Sequence, residues 1–214
     1  MPARSCIGGS AVAGIQGLRR VEGVKNVANL KGMRTLSAPG LTLEPQVAAH
    51  APELFRVLIE TGVHDFLDDA PPPSPLALRE RLARLETRGS ADGREQWLNW
   101  VIRLARGEVA GFVQATVPQV RPAWIAFVLG SSHWGRGIAH RASLAMMAEL
   151  HLAYGVTHLL ASAERKNARS TSLLQRLGFA PASPALHLEY RMTSSEVLME
   201  RMLPPAASGP PVPP

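Results

Sequence analysis

The spacing of apolar residues divides the middle of the chain into segments with two different periods. Apolar residues three and four positions apart predict amphipathic helices at residues 53–61, 76–88, 136–154 and 168–177. Apolar residues that alternate with polar ones, or that form short runs, predict strands at residues 41–44, 97–104, 109–117, 123–129, 157–162, 187–191 and 197–201. The mixed order indicates an α/β chain with a mostly antiparallel sheet flanked by helices, not a regularly alternating doubly wound sheet.

Residues with special backbone preferences mark several ends of these segments. The short strand at 41–44 is expected at the edge of the sheet. Ser74 and Pro75 are the residue types of a helix N-cap and first helical position. A tight connection at 106–108 joins the two alternating strands into an antiparallel hairpin. The helix at 136–154 carries two apolar stripes, so we expect it to be covered on two sides.

Composition and charge exclude several classes of protein. The chain has 214 residues, enough for one domain with a core, and its mean hydropathy is close to zero. It contains no run of about 18 apolar residues, so a membrane span is not expected. Of the net charge of +6, residues 1–32 contribute +4, which leaves the remainder nearly neutral. A basic groove for nucleic acid is therefore not expected.

The two ends differ from the middle in composition. Residues 1–39 are predicted to be a disordered basic leader, with a transit peptide or an extension upstream of a start at Met33 as alternatives. Residues 40–203 form the predicted domain, and residues 204–214 form a proline-rich tail that is expected to be disordered. Cys6 is the only cysteine, which fits a reducing compartment, and we expect a cytoplasmic location.

The most informative local pattern is a strand, then a glycine loop, then a helix. Gly135 and Gly137 allow a ligand to approach the backbone closely. The first N–H groups of the following helix lack helical partners and lie at the positive end of its dipole, a position that suits phosphate oxygens. A pair of glycines alone also fits a simple tight turn. His140 stands where a dinucleotide-binding fingerprint needs a third glycine, so that class is excluded.

Two motifs resemble those of one known family. The segment Trp134-Gly135-Arg136-Gly137-Ile138-Ala139 resembles the acetyl-CoA signature of the GNAT N-acetyltransferase superfamily. The segment Asn167-Ala168-Arg169-Ser170, followed by Gly178-Phe179, is similar to a motif of the RimJ/RimL-type branch. This resemblance implies the GNAT acyl-CoA N-acyltransferase fold and an N-acetyltransferase that uses acetyl-CoA as its co-substrate. One departure is Ser132, where the family loop has glutamine or arginine.

The resemblance also implies which residues hold the cofactor. Backbone groups at the end of the strand predicted at 123–129 would bind the pantetheine arm and the thioester oxygen, the glycine loop would bind the pyrophosphate, and an asparagine would hold the pantetheine from the other side. The residues in these positions are Val128, Leu129, His133, Trp134, Gly135, Arg136, Gly137, Ile138, Ala139 and Asn167. No metal is implied, because the seven histidines lack the spacing of a zinc pair.

The catalytic residues are less strongly indicated than the cofactor loop. Many family members donate a proton from a tyrosine at the position of Leu174, so Ser170 takes the role of general acid by resemblance to the RimL-type branch. A serine that makes only local helix bonds is the alternative. Glu164, just after a strand, is the candidate base, with a solvated surface carboxylate as the alternative. Asp65 and Asp68 are candidates for attracting the acceptor, although such loops are also ordinary linkers.

Three functions remain open from the sequence. The leading one is acetyl transfer from acetyl-CoA to a primary amine, a protein N-terminus or a small amine, by direct attack in a ternary complex. The second is a non-catalytic acyl-CoA sensor or degenerate module, and the third is a nucleic-acid-associated protein tethered by its basic leader. The expected partners are acetyl-CoA and an amine acceptor, and neither nucleic acid nor a membrane is expected. The chain is expected to be a monomer or a homodimer. Trp97 and Trp100 are expected in the sheet core.

Overall fold

The computed structural model describes residues 32–67, 69–120 and 122–204, and these form one eight-stranded sheet flanked by helices. The strands are β1 (Leu36–Ala38), β2 (Leu41–Pro45), β3 (Glu95–Leu104), β4 (Val109–Pro118), β5 (Ala123–Leu129), β6 (His158–Glu164), β7 (Ala180–Pro181) and β8 (Glu196–Met202). The helices are α1 (Ala51–Leu58), α2 (Pro75–Leu85), α3 (Ile138–Tyr154), α4 (Ala168–Arg176) and α5 (Pro184–Glu189).

The sheet changes character at one place, between β5 and β6. Its strand order is β1-β2-β3-β4-β5-β6-β8-β7, and β5–β6 is a parallel pair in an otherwise antiparallel arrangement. Among the described residues, β5 pairs with β6 only at Ala123 and Trp124. From Ile125 onward β5 still pairs with β4 but no longer with β6. The sheet therefore opens along residues 125–129, five of the seven residues of β5.

Both faces of the central strands are covered. Leu98, Trp100 and Ile102 point to the face packed by α3 and are fully or nearly fully buried. Val101 and Phe112 point to the other face, where they pack with apolar residues of α1 and α2. Alternating residues of the strands thus face opposite sides of the sheet, and helices cover each side.

A glycine in β4 allows the neighbouring strand to approach unusually closely. Gly111 has a φ of +152° and lies beside an irregularity in the β3–β4 register. A Cβ atom at this position would lie 2.0 Å from the carbonyl oxygen of Val128 in β5. No side chain fits there without a shift of backbone, so this glycine helps to set the path of β5 towards its open end.

The helix ends follow the expected local chemistry, but one predicted packing is found only in part. The hydroxyl of Ser74 accepts a hydrogen bond from the N–H of Ala77 at 3.1 Å and caps α2. Gly155, with a φ of +67°, ends α3 as expected. In the second apolar stripe of α3, Met147 is buried, but Leu144 and Leu152 are 41% and 74% exposed. This stripe is therefore covered only in part.

The beginning of the fold also differs from the prediction. β1 pairs with β2, so the strand at 41–45 is not the edge strand. Just before β1, Arg34 Nε donates to Glu149 Oε1 of α3 at 2.9 Å. The sheet therefore begins before residue 40, within the segment expected to be a leader. Residues 1–31 of that leader, and residues 205–214 of the tail, lie outside the described residues.

The strand predicted at 187–191 is wrong as well, because most of this segment belongs to helix α5. The hydroxyl of Ser183 accepts a hydrogen bond from the N–H of Leu186, and Pro184 occupies the first helical position. Five residues are too few for period alone to separate a strand from a helix, and the cap was the better signal. None of the described helices is both long enough and apolar enough to cross a bilayer.

Candidate active site

The gap between β5 and β6 opens into a cleft of about 960 Å³. The start of α3 lines one wall of this cleft and α4 lines the other. The cleft also reaches the residues between α1 and α2 and the adjoining part of β3 and β4. In an antiparallel pair, alternate residues direct their N–H and C=O groups away from the partner, so β5 presents unpaired backbone groups to this gap.

The predicted glycine loop forms the first wall. After β5, a 3₁₀ turn at Ser131–His133 leads into Gly135 and Gly137, whose φ values are +72° and +69°. Gly137 is the N-cap of α3, and it supplies no side-chain oxygen to the first N–H groups of this 17-residue helix. The positive end of a long helix is thus left open towards the cleft, as an anion-binding site requires.

Two buried polar atoms test whether this wall suits a phosphate group. Nδ1 of His133 and Nε of Arg141 are buried, and neither has a hydrogen-bond partner among the described residues. Both residues line the cleft beside the glycines. Buried polar atoms without partners are unfavourable, and phosphate oxygens would supply acceptors to both side chains. The wall therefore fits the pyrophosphate of acetyl-CoA.

Most, but not all, of the predicted cofactor residues lie together. Val128, Leu129, His133, Trp134, Gly135, Gly137, Ile138, Ala139 and Asn167 line the cleft. Arg136 is the exception, because it lines a separate cavity of about 230 Å³ with Gly40 and Leu104. The carbonyl oxygen of Leu129 accepts a hydrogen bond from Nε1 of Trp134 at 3.0 Å, so this group already has one partner.

A carboxylate that the sequence did not reveal holds the base of the loop. Glu60, after α1, accepts hydrogen bonds from the hydroxyl of Ser131 at 2.9 Å and from the N–H of Ser132 at 3.0 Å. Burial tends to raise the pKa of Glu60, but the hydrogen bonds from the two serines outweigh it, so its pKa lies below the ordinary value. The short side chain of Ser132, where the family loop has a longer residue, is held by this carboxylate. A partner 72 positions away has no local sequence signal.

The second wall is formed by the start of α4. The side-chain oxygen of Asn167 accepts a hydrogen bond from the N–H of Ser170 at 3.1 Å and caps the helix. The amide nitrogen of the same side chain makes no hydrogen bond to another described residue, and Asn167 lines the cleft. The hydroxyl of Ser170 lines the cleft and makes no hydrogen bond to any other described residue. The local hydrogen bonds that the alternative requires of this hydroxyl are therefore not seen among the described residues.

A contact between two side chains connects the two walls of the cleft. The guanidinium carbon of Arg169 lies 3.8 Å from the centre of the Trp134 ring, a cation–π contact between α4 and the glycine loop. These residues belong to the two separate motifs noted in the sequence. The contact therefore connects the motifs in space across the cleft.

The carboxylates proposed for catalysis and acceptor binding are spread out. Glu164, at the end of β6, is half-buried, lines the cleft and accepts a hydrogen bond from the hydroxyl of Ser195 at 3.3 Å. Asp65 is exposed and does not line the cleft, although its carboxylate lies close to Gly62, which does. Asp68 lies outside the described residues.

The part of the cleft over β3 and β4 contains polar residues that sequence reasoning missed. Asn99, Gln114 and Thr116 line it together with Trp97. Trp97 is therefore half-buried at the cleft, whereas Trp100 is fully buried in the core as expected. Alternation along β3 indicates which residues share a face, but not that this face remains uncovered at one end.

Comparison with protein families decides what kind of protein this is. A family model described as an acetyltransferase (GNAT) domain matches residues 40–180, about two thirds of the chain. The chain belongs to the GNAT acetyltransferase family. This membership confirms the predicted family, the GNAT fold, and an acetyl-CoA-dependent acetyltransferase as the class of enzyme. No curated protein sequence matches the chain.

Solved structures agree with the GNAT fold at low sequence identity. The chain is similar to RimL, a ribosomal L7/L12 α-N-protein acetyltransferase in complex with CoA, with 18% identity over 79% of this chain and 98% of that one and a TM-score of 0.65. It is similar to the ribosomal-protein-S5-alanine acetyltransferase of Vibrio fischeri, with 14% identity over 79% and 97% of the two chains and a TM-score of 0.62. It also resembles a Salmonella typhimurium acetyltransferase that modifies the N-terminal serine of L7/L12, with 18% identity over 77% and 96% and a TM-score of 0.62.

Proposed function

We propose that this GNAT chain transfers an acetyl group from acetyl-CoA to a primary amine, a protein N-terminus or a small amine, with both substrates bound at once. The observation that carries the proposal is the open edge of β5, which faces a cleft with the glycine loop on one wall and Ser170 on the other. Because this cleft also extends over β3 and β4, it has room for an acceptor beside the cofactor. Binding the two together makes the transfer effectively unimolecular.

Acetyl-CoA supplies an activated acetyl thioester to this cleft. Amides of the glycine loop and of the first turn of α3, with His133 and Arg141, would hold its pyrophosphate. The free amide nitrogen of Asn167 and unpaired backbone groups of β5 would hold the pantetheine arm from its two sides. Donors that are fixed before the reaction can also stabilise charge on the thioester oxygen as it develops.

Two residues, one at the end of β6 and one near the start of α4, carry out the proton transfers. The amine nitrogen forms a bond to the thioester carbon as the carbon–sulfur bond breaks. Glu164 accepts the proton that the nitrogen loses, and the hydroxyl of Ser170 donates a proton to the departing sulfur. The half-buried position of Glu164 and the unused hydroxyl of Ser170 support these roles.

The acceptor class is supported by the similar structures. Two of the solved structures that share this fold are of acetyltransferases that act on the N-terminus of the ribosomal protein L7/L12, as their names state. A protein N-terminus is accordingly the first acceptor to test for this chain, as expected for the RimJ/RimL-type branch. The cytoplasmic location and the monomeric or dimeric state stay predictions.

A thiol-release assay with acetyl-CoA tests the proposal. The panel contains amino acids, polyamines, aminoglycosides and short peptides with free N-termini, and mass spectrometry identifies the acetylated product. We expect turnover with at least one class. Tight acetyl-CoA binding with an intact thioester in the presence of every amine would contradict the proposal and favour the non-catalytic acyl-CoA sensor.

The Ser170→Ala variant tests the acid. Since general acid catalysis contributes roughly 100-fold or more, and a thiolate leaves more easily than most groups, we expect kcat to fall about tenfold or more. The KM for acetyl-CoA should change little, and Ser172→Ala on the same helix serves as the matched control. An unchanged kcat in Ser170→Ala would show that Ser170 is not the acid.

A further inference from the structure

One buried polar side chain in the cleft has an amide nitrogen without a hydrogen-bond partner among the described residues. Asn99 in β3 is only 3% exposed, lines the cleft, and its amide nitrogen has no hydrogen-bond partner among the described residues. Val101, two positions along on the same face, is fully buried and apolar, so this face accepts an apolar side chain. A buried amide without a partner is less favourable than such a side chain. The arrangement therefore points to a partner that arrives with a ligand.

The strand register gives the position of Asn99 relative to the reacting end of the cleft. Asn99 pairs with Gln114 of β4, and Gln114 pairs with Ala126 of β5. Neighbouring strands lie about 4.8 Å apart, so the Cα of Asn99 lies about 10 Å from the open edge of β5. The unpartnered donor thus faces the same cleft, at the same level as the beginning of the gap between β5 and β6.

We infer that Asn99 is a specificity-determining residue, whose amide nitrogen donates a hydrogen bond to a carbonyl oxygen of the acceptor several bonds away from the reacting amine. This inference rests on the proposed function and names the acceptor as a peptide-like molecule. An extended peptide advances about 3.3 Å per residue, so about three residues span the distance from the open edge of β5 to Asn99. Alkylamines and protonated polyamines carry no oxygen to accept from this donor.

The surroundings of Asn99 are suited to such an extended acceptor. Trp97 faces the cleft next to it, and the indole nitrogen of Trp97 donates to the carboxylate of Glu95 at 3.1 Å, which fixes the ring. Val63 and Phe66, from the segment after α1, also line this cleft. Apolar and aromatic side chains around a few polar groups are typical of sites that orient a ligand with few polar contacts.

The test compares two acceptors with the full chain at saturating acetyl-CoA. One is a trialanine amide with a free N-terminus, and the other is hexylamine. The measured quantity is the ratio of their kcat/KM values for wild type, Asn99→Leu and Asn99→Asp, with Ser143→Ala as the matched control. Ser143 also has a buried oxygen without a partner among the described residues, but it does not line the cleft.

We expect the ratio to fall roughly ten- to hundredfold in both Asn99 variants and to keep its wild-type value in Ser143→Ala. An unchanged ratio in folded Asn99→Leu, or an equal fall in Ser143→Ala, would overturn the inference. A second measurement avoids the question of folding, because it uses wild type with peptides in which one carbonyl oxygen at a time is replaced by sulfur. The peptide with sulfur at one particular position should have a clearly lower kcat/KM than the other substituted peptides. Equal kcat/KM values for all substituted peptides would overturn the inference.

A failure of the inference about Asn99 can be distinguished from a failure of the proposed acetyl transfer. If wild type acetylates neither acceptor, calorimetry with CoA-loaded protein measures binding of the trialanine amide. The proposed function itself fails only if wild type acetylates no amine of the full panel. Binding by wild type that is lost in Asn99→Leu supports the acceptor site at Asn99. Equal binding by both proteins, or binding by neither, overturns it.

Discussion

The carboxylate of Glu60 is predicted to stabilise the cofactor loop, and the Glu60→Gln variant tests this. The carboxylate accepts hydrogen bonds from Ser131 and Ser132 at the start of the 3₁₀ turn. It also lies so close to Gly130 that a Cβ there would come within 2.6 Å of Oε1. Glutamine has nearly the same size but carries no charge and offers one acceptor oxygen in place of two.

The expected magnitude follows from these contacts. A hydrogen bond to a charged group contributes about 1.5–3 kcal/mol when well buried, and a neutral one about 0.5–1.5 kcal/mol. Because this carboxylate is partly exposed, we expect a total loss of about 1 kcal/mol in the free energy of unfolding. If the same loss falls on the loop in the cofactor-binding conformation, the Kd for acetyl-CoA should rise about fivefold.

The contribution of Glu60 to the free energy of unfolding depends on pH and decreases in acid. The pKa of Glu60 in the folded protein lies below its ordinary value, since the serine hydrogen bonds outweigh the effect of burial. Its contribution to stability is therefore complete above the unfolded pKa of about 4.3 and is lost as the pH falls through the folded value. The difference between wild type and Glu60→Gln should be largest near pH 7 and should shrink below about pH 4.

Urea denaturation at pH 7 and at pH 3.5, with calorimetry of acetyl-CoA binding at pH 7, measures these effects. Glu108→Gln is the control, because Glu108 is an exposed carboxylate in the β3–β4 turn. Equal stability of wild type and Glu60→Gln at pH 7, or a difference that grows in acid, would show that the Glu60 carboxylate does not stabilise the loop.

Two further predictions concern β4 and the two walls of the cleft. Gly111→Ala should lower the free energy of unfolding by about 2 kcal/mol or more, because its Cβ would collide with the carbonyl oxygen of Val128, and a loss under 0.5 kcal/mol in urea denaturation would contradict this. Arg169→Met should remove a cation–π contact worth about 0.5–1 kcal/mol. A double-mutant cycle with Trp134→Leu on acetyl-CoA affinity should show coupling of that size, and strict additivity would argue against a bridge between the walls.

The cofactor side of the site could be predicted from the sequence because its signals are local. The strand at 123–129, the two glycines and the following helix are consecutive, so periodicity and backbone preference place them together. The motif at Asn167 is equally compact, and its cap and cleft position follow from a few neighbouring residues. Family resemblance supplied the identity of the cofactor, which the residues alone left open.

The acceptor side could not be predicted, because it depends on contacts between distant residues. Asn99 alternates correctly along β3, but its unpartnered amide appears only once β4, β5 and the segment after α1 are in place. The role of Glu60 requires a contact with a residue 72 positions away. The prediction of Asp65 as an acceptor-binding residue relied on the family resemblance, which implies that the loop between the first two helices lines the acceptor site. The structure leaves this residue exposed outside the cleft.

A crystal structure of the chain with CoA bound would show whether the open edge of β5 is the cofactor site. We expect pyrophosphate oxygens within about 2.7–3.2 Å of amide nitrogens between Gly135 and Ala139, and the thiol in the gap between β5 and β6. We also expect that His133 and Arg141 gain the partners they lack among the described residues. A CoA molecule bound elsewhere, with the β5–β6 gap free of the pantetheine arm, would contradict this expectation.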